Sequence, residues 1–125
     1  MRVELEGDAR IASRNERDLQ RLVLNLIDNA AKHSPNGSVV RVTLSSSPDV
    51  ELAVEDQGPG VPAADLERIF EPFFRGEHED SEDGSGLGLA IVRAIARAHD
   101  GEVSVDARNT RRGQGARFVV RFAAP

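Results

Sequence analysis

The sequence has no cysteine among its 125 residues, which excludes a disulfide framework and any metal site built on thiolates. It also has no excess of positive charge, because 16 lysines and arginines stand against 21 aspartates and glutamates, a formal net charge of −5. That balance argues against nucleic-acid binding as the main function. No signal peptide is visible, and no apolar run approaches the roughly 20 residues that span a bilayer. We therefore expect a cytoplasmic domain without direct membrane contact, any anchor lying elsewhere in a longer protein.

The composition that remains is that of an ordinary globular domain, with 39% hydrophobic and 30% charged residues. We expect residues 1–125 to form one domain, since this length suffices for a hydrophobic core. Alternating apolar residues predict short strands at Val3 and Leu5, at Val103, Val105 and Ala107, and at Phe118, Val120 and Phe122. Strands and helices interleave, and two strand pairs are joined as hairpins. The predicted fold is therefore α/β, a two-layer sandwich with helices on one face of a mixed sheet.

A long helix is predicted to begin at a capping box, Ser13–Glu16, and to end near His33, before Pro35. Its apolar stripe has helical spacing and consists of Leu19, Leu22, Val23, Leu26, Ile27 and Ala30. A second, polar stripe beside it consists of Asn25, Asn29, Lys32 and His33. Amide oxygens one turn apart suit hydrated Mg²⁺, and the lysine suits a phosphate. Alternatively, these four residues are surface polar groups that cap or bridge.

A hairpin is predicted from Val39–Leu44 and Val50–Asp56. Asp56 shares the parity of the apolar residues of the second strand, and a carboxylate on a core face is costly unless a donor meets it. The chain then leaves through Gln57-Gly58-Pro59-Gly60, which brings backbone close to whatever the carboxylate meets. Asp56 is therefore either a ligand-binding residue or a cap of this turn.

The segment between this loop and the next helix combines three features. Pro62–Ile69 predicts a short helix, and Phe70, Phe73 and Phe74 form an aromatic patch. The acidic stretch Glu77–Asp83 contains no apolar residue, so we expect it to be mobile. Together they are typical of a lid, although a solvated loop beside an incidental phenylalanine cluster remains the alternative.

A glycine-rich run follows, in which Gly84, Gly86 and Gly88 alternate with Ser85 and Leu87 and lead into a helix. Glycine backbone at a helix N-terminus favours an anion and predicts a phosphate cradle, with a flexible hinge as the alternative. The spacing excludes a P-loop, which needs a lysine directly after its last glycine, where this chain has Leu89. It also excludes a dinucleotide fingerprint, which needs a glycine three residues after Gly86, again the position of Leu89. The helix is predicted to bury Ile91, Ala94, Ile95 and Ala98 and to stop at Asp100-Gly101.

Five motifs, in this order, resemble the catalytic and ATP-binding domain of bacterial two-component sensor histidine kinases. They are Asn-x-x-x-Asn-Ala-x-Lys-His, Asp-x-Gly-x-Gly, Phe-Glu-Pro-Phe-Phe-Arg, Gly-x-Gly-Leu-Gly-Leu and Gly-Ala-x-Phe. These kinases belong to the GHKL superfamily, with gyrase, the heat-shock chaperone and MutL. The resemblance covers nearly the whole chain and implies the Bergerat fold, a mixed sheet of about five strands covered by three helices.

The resemblance also implies roles. Asp56 is similar to the residue that accepts a hydrogen bond from the adenine amino group, with Gly58 and Gly60 beneath the base. Asn25 and Asn29 are similar to ligands of Mg²⁺ and phosphate, and Lys32 and Arg75 to residues that reach the phosphates. The remaining implied ATP-binding residues are His33, Phe74, Gly84, Ser85, Gly86, Leu87, Gly88 and Leu89. Ala116 stands where the family usually has threonine, so this position lacks a hydroxyl.

Where gyrase-like ATPases place a glutamate that activates water, this sequence has Asn25, and an amide is a poor base. The resemblance therefore implies that the domain positions Mg·ATP for phosphoryl transfer to a histidine of a dimerisation domain. A response regulator would be the indirect partner that receives the phosphoryl group from that histidine. The parent protein would be membrane-anchored. Two alternatives stay open: an anti-sigma-factor serine kinase that acts as a protein-binding switch, and an ATPase clamp.

Overall fold

The computed structural model describes residues 2–7, 16–34, 37–45, 49–74, 87–106 and 115–122. Strand β1 (Arg2–Gly7) is followed by helix α1 (Glu16–His33), by strands β2 (Val39–Ser45) and β3 (Val50–Glu55), and by a 3-10 turn (Ala63–Asp65). Helix α2 (Gly88–Ala98) and strands β4 (Gly101–Asp106) and β5 (Arg117–Phe122) complete the described elements. The predicted helix end near His33 and both predicted hairpins are confirmed, whereas the capping residue Ser13 and Ala107 lie outside the described residues.

The strands form one five-stranded sheet in the order β1-β2-β3-β5-β4. Strand β1 pairs with β2 in parallel, and all other neighbours are antiparallel, which confirms the predicted mixed sheet. Since β3 lies between β2 and β5, the loop that leaves its C-terminal end emerges between those two strands. The predicted site therefore lies at the end of the central strand rather than beside an edge strand.

Helices α1 and α2 contact each other and together cover the apolar face of the sheet, α1 over β2 and β3 and α2 over β4 and β5. The alternation predicted for β3 and β5 is confirmed, since Val50, Leu52, Val54, Phe118, Val120 and Phe122 are all buried in the core. Leu22, Leu26 and Ala30 of α1 join the same core. Removal of such side chains from water is the main stabilising term of the fold.

The predicted buried face of α2 is wrong in phase. Val92, Ile95 and Ala96 are buried and Ile91 is partly buried, whereas Ala94 and Ala98 are exposed. The helix is apolar nearly all round, so small alanines do not determine which stripe faces the core. Packing against α1 and the sheet selects the stripe with the β-branched Val92, one residue further along the chain than predicted.

The predicted helix Pro62–Ile69 is only a 3-10 turn at Ala63–Asp65 followed by hydrogen-bonded turns, so two α-helices cover the described sheet. The phenylalanines that follow do not form one patch. Phe70 is buried and meets the Phe118 ring edge-on at 6.2 Å, while Phe73 is 70% exposed. None of the helices in the described ranges has the length and hydropathy of a membrane span.

Candidate functional site

Asp56 follows the last residue of β3 and is clamped to the start of β5. Its side chain is only 3% exposed. The carboxylate oxygen Oδ1 accepts hydrogen bonds from the backbone N–H of Gly58 at 2.9 Å and from that of Ala116 at 3.2 Å. The backbone N–H of Asp56 donates in return to the Ala116 carbonyl at 2.9 Å. Three hydrogen bonds therefore fix both the backbone and the side chain of this residue.

Burial raises the pKa of Asp56, because removal from water disfavours the charged carboxylate. The hydrogen bonds from Gly58 and Ala116, and the attraction of His33, lower the pKa in opposition but do not outweigh the desolvation. Both backbone donors use Oδ1, and no other donor within the described ranges reaches Oδ2. Oδ2 is therefore the oxygen with capacity to accept a hydrogen bond from a ligand.

Two glycines make this arrangement sterically possible. A Cβ on Gly58 would lie within 3.0 Å of the carbonyl oxygen of His33, and a Cβ on Gly115 would come equally close to the backbone oxygen of Asp56. Gly115 also has a φ of +93°, which side chains rarely tolerate. The loop after β3 thus lies directly against the C-terminus of α1 and the start of β5. We call Asp56, Gly58, Gly115 and Ala116 the carboxylate end of the site.

The second part of the site lies between the two helices. Asn25 and Asn29 are partly buried one turn apart on α1, and Oδ1 of Asn25 lies 3.6 Å from the place that a Cβ of Gly88 would occupy. Gly88 is the first residue of α2, where backbone N–H groups have no intrahelical partner and favour an anion. We call Asn25, Asn29 and Gly88 the amide end.

Helix α1 links the two ends, because it carries Asn25 in its middle and ends at His33 against Gly58. At 1.5 Å per residue the eight positions between them span about 12 Å. Lys32 is exposed, while Leu87, Leu89 and Gly60 are partly buried. Phe74 lies beneath the Arg68 guanidinium, 5.0 Å from ring centroid to Cζ. The predicted site residues Arg75, Gly84, Ser85 and Gly86 lie outside the described residues, as does the acidic part of the predicted lid.

The side chains of the candidate site determine whether Mg²⁺ could bind there. No group of three or more His, Cys, Asp or Glu side chains that could hold a metal occurs in the part of the chain that the structure describes. The amide end offers neutral oxygens instead. Because Mg²⁺ commonly takes one or two protein oxygens and completes its shell with phosphates and water, these residues fit a cation that arrives with a polyphosphate.

Sequence reasoning assigned no role to Gly115 or to the backbone of Ala116. The Gly-Ala step before a strand was the available signal, since a glycine at that point often marks a close backbone approach. Their partner, Asp56, lies 60 positions before Ala116 in the sequence. That separation left the contact invisible to any local pattern.

Known proteins are similar to this chain in sequence and in fold. The model of the family described as histidine kinase-, DNA gyrase B- and HSP90-like ATPases matches residues 14–125. The signal transduction histidine-protein kinase/phosphatase MprB of Mycobacterium sp. (strain KMS) is 49% identical over 90 residues, 70% of this chain and 18% of that protein. The adaptive-response sensory kinase SasA of Rippkaea orientalis is 38% identical over 94 residues, 74% of this chain and 24% of that protein.

Solved structures agree. A structure of the mycobacterial sensor histidine kinase MprB has a TM-score of 0.86 and 37% identity, and the match covers 99% of this chain and 84% of that one. Full-length ShkA in complex with AMPPNP has a TM-score of 0.77 and 33% identity, over 98% of this chain and 26% of that one. The chain therefore belongs to the family of histidine kinase-, DNA gyrase B- and HSP90-like ATPases, and membership implies an ATP site.

Proposed function

We propose that this chain is the catalytic domain of a two-component sensor histidine kinase. It binds Mg·ATP and positions the γ-phosphate for transfer to a histidine on a dimerisation domain of the same parent protein. A response regulator then receives the phosphate. The observation that carries the proposal is the clamped carboxylate of Asp56, whose Oδ2 is left to read a base beside the glycine loop.

The carboxylate end would hold the adenine. Oδ2 of Asp56 accepts a hydrogen bond from the exocyclic amine, while Gly58 and Gly60 let the base lie close to the backbone. A buried acceptor suits an amino group and rejects an oxygen at the same position, since two acceptors would face each other without a proton. This makes Asp56 the residue that selects adenine over guanine.

The amide end would hold the phosphates. Asn25 and Asn29 supply amide oxygens that would bind Mg²⁺, which neutralises phosphate charge when it is bound. Backbone N–H groups at the start of α2 and the Lys32 ammonium orient the phosphate oxygens. Phosphoryl transfer depends mainly on such positioning and charge stabilisation, so the site needs no nucleophile of its own.

Transfer to histidine is favoured over hydrolysis by the chemistry of Asn25. Its amide oxygen lies near the first turn of α2, and the resemblance to gyrase-like ATPases implies that a water-activating glutamate would stand at this position. An amide cannot accept the proton of an attacking water at neutral pH. The similarity to sensor histidine kinases also favours this function over an anti-sigma-factor serine kinase.

The acceptor is expected outside this chain, since none of its three histidines suits the role. His33 is partly buried against Gly58 within the site. The Nε2 atom of His99 lies 3.2 Å from Oδ2 of Asp18, at the opposite end of α2 from Gly88, about 17 Å away by helix length. His78 lies in the acidic stretch, outside the described residues, and lacks the proline of an acceptor box.

The test uses γ-labelled ATP. We expect the chain alone to form no acid-labile phosphohistidine, and to label the dimerisation helices of its parent protein when they are added in trans. The Asp56→Asn variant is the matched control and should label those helices weakly. Stoichiometric label on the chain itself would contradict the proposal, and rapid multiple-turnover release of phosphate would favour an ATPase clamp.

A further inference from the structure

Gln57 is the remaining polar side chain of the loop that leaves β3, and its contact is unlike those of its neighbours. Strand β3 ends at Glu55, which pairs with Arg41 of β2. Continuing that antiparallel register by two residues places Gln57 opposite Val39, the first residue of β2. There the side-chain oxygen Oε1 of Gln57 accepts the backbone N–H of Val39 at 3.0 Å. A side chain thus accepts a hydrogen bond from a strand N–H beyond the last backbone pair of β2 and β3.

Neighbouring residues of the loop are anchored in opposite directions. Asp56 bonds to Ala116, at the start of β5, and Gln57 bonds to Val39, at the start of β2. These two strands flank β3 in the sheet. Gly58 lies against the C-terminus of α1 on a third side. The Gln57 bond is the anchor to β2, and it depends on a side chain that substitution can remove without altering the backbone.

We propose that Gln57 is a positioning residue for the base-binding loop: its side-chain carbonyl anchors the loop to β2 and so sets the place of Asp56 and Gly58 relative to the adenine. This inference rests on the proposed function, because it assigns the adenine to the carboxylate end. Loss of the acceptor leaves the partly buried Val39 N–H without its partner and releases the loop on one side. The hydrogen bonds of Asp56 to β5 remain, so the fold persists while the loop shifts.

The main variant is Gln57→Met, which keeps the length of the side chain and removes the acceptor. Gln57→Glu retains an acceptor oxygen at the same reach. Gln57→Asn keeps the amide but is shorter by one methylene, and it serves as a second variant that loses the contact. Gln20→Met is the matched control, since Gln20 is exposed on α1. Each protein is tested by calorimetry with adenosine, ADP and inorganic tripolyphosphate, and by hydrogen exchange of the Val39 amide.

We expect Gln57→Met and Gln57→Asn to accelerate hydrogen exchange of the Val39 amide. Both variants should also lower the affinity for adenosine and for ADP by the same factor, about three- to tenfold. Tripolyphosphate affinity should stay unchanged, because it reports on the amide end alone. Gln57→Glu should keep both the slow exchange and the affinity, and Gln20→Met should match the unchanged chain. A purely structural role would weaken all three ligands together.

Three results would overturn the inference while leaving the proposed function intact. The first is an unchanged adenosine affinity despite faster exchange of the Val39 amide, and the second is an unchanged exchange rate in Gln57→Met. The third is a loss of tripolyphosphate affinity as large as the loss of adenosine affinity. Failure of the unchanged chain to bind adenosine and ADP would overturn the proposed function as well. The two failures are therefore distinguishable from the behaviour of the unchanged chain.

Discussion

The two ends of the site are built by different means. At the carboxylate end, backbone approaches backbone so closely that Gly58 and Gly115 have no room for a Cβ. At the amide end, the one contact that a Cβ on Gly88 would make among the described residues is with the side chain of Asn25, at the ordinary distance of 3.6 Å. The first end is therefore part of the fold itself, whereas the second is a helix surface on which a ligand can be held. Alanine substitutions of the glycines should therefore lower stability at the carboxylate end and ligand affinity at the amide end.

The largest effect is expected at Gly115. In Gly115→Ala the new methyl group would clash with the Asp56 backbone and the residue would keep a φ of +93°, so we expect a loss of at least about 3 kcal/mol in the free energy of unfolding. Urea denaturation measures this. Gly37→Ala is the control, because Gly37 also has a positive φ of 80° but no atom of the described residues lies within 4 Å of its Cβ position.

Gly37→Ala should then cost only the backbone strain, about 1 kcal/mol. Equal losses in the two variants would mean that strain, rather than contact with Asp56, explains the glycine at position 115. In that case the difference drawn between the two ends would disappear.

Asp56→Asn is expected to give the next largest effect, on binding rather than on folding. Asparagine keeps an Oδ1 that can accept from Gly58 and Ala116, but it places an NH₂ donor where Oδ2 now lies. We expect ADP affinity to fall at least about tenfold, while a 6-oxo purine nucleotide such as GDP gains relative to ADP. Calorimetry with both nucleotides checks this. An unchanged preference for ADP would show that Asp56 does not read the base.

The stability of the chain should also depend on pH through Asp56. Burial raises the pKa of Asp56 above its ordinary value of 3.8. Its contribution to stability is therefore full below the pKa of the unfolded chain and is lost as pH rises through the folded pKa. The stability of Asp56→Asn relative to the unchanged chain should therefore increase as pH rises through the folded pKa and decrease in acid.

Ligand affinity should depend on pH in the opposite direction, because Oδ1 is used by Gly58 and Ala116 and the amine needs Oδ2 without a proton. We expect ADP affinity to fall as pH is lowered through the folded pKa of Asp56, and Asp56→Asn to lack this step. Denaturation and calorimetry of both proteins across the acid range measure the two effects. A pH profile common to both proteins would assign it to other groups.

The smallest change in stability is expected at Gly88. Alanine is the better helix former by about 0.5–1 kcal/mol, and the site has room for its methyl group, so Gly88→Ala should fold at least as stably. ADP and ATP should bind more weakly because the phosphates lose their close approach to the first turn of α2, while adenosine affinity should stay the same. Weaker adenosine binding would contradict the division of the site into two ends.

Much of the fold could be predicted from local pattern. Alternation in β3 and β5 identified the buried residues of the central strands, and the stripe from Leu19 to Ala30 identified the core face of α1. The position of Asp56 on the apolar parity of its strand marked it as a buried carboxylate before its donors were known. These features are local because side-chain direction follows from the period of a strand or a helix.

Other features depended on packing between distant segments. The phase of α2 was predicted wrongly, since a helix that is apolar on most sides can bury any of several stripes. Phe70, Phe73 and Phe74 are nearly adjacent in sequence, yet one enters the core, one is exposed and one lies beneath Arg68. Composition alone could not separate them, because the turns after Ala63–Asp65 direct each ring differently.

The sequence by itself determined the period of each element, the parity of Asp56 and the order of the motifs, because these depend on residues a few positions apart. Only the tertiary structure decided that Ala116 would donate to Asp56, that Gln57 would reach Val39, and that Gly88 would lie beside Asn25. Each of these contacts joins segments whose proximity follows from the strand order of the sheet and the packing of two helices on it. A hydrogen bond forms only when both partners are brought within about 3 Å, and local propensity carries no information about that distance.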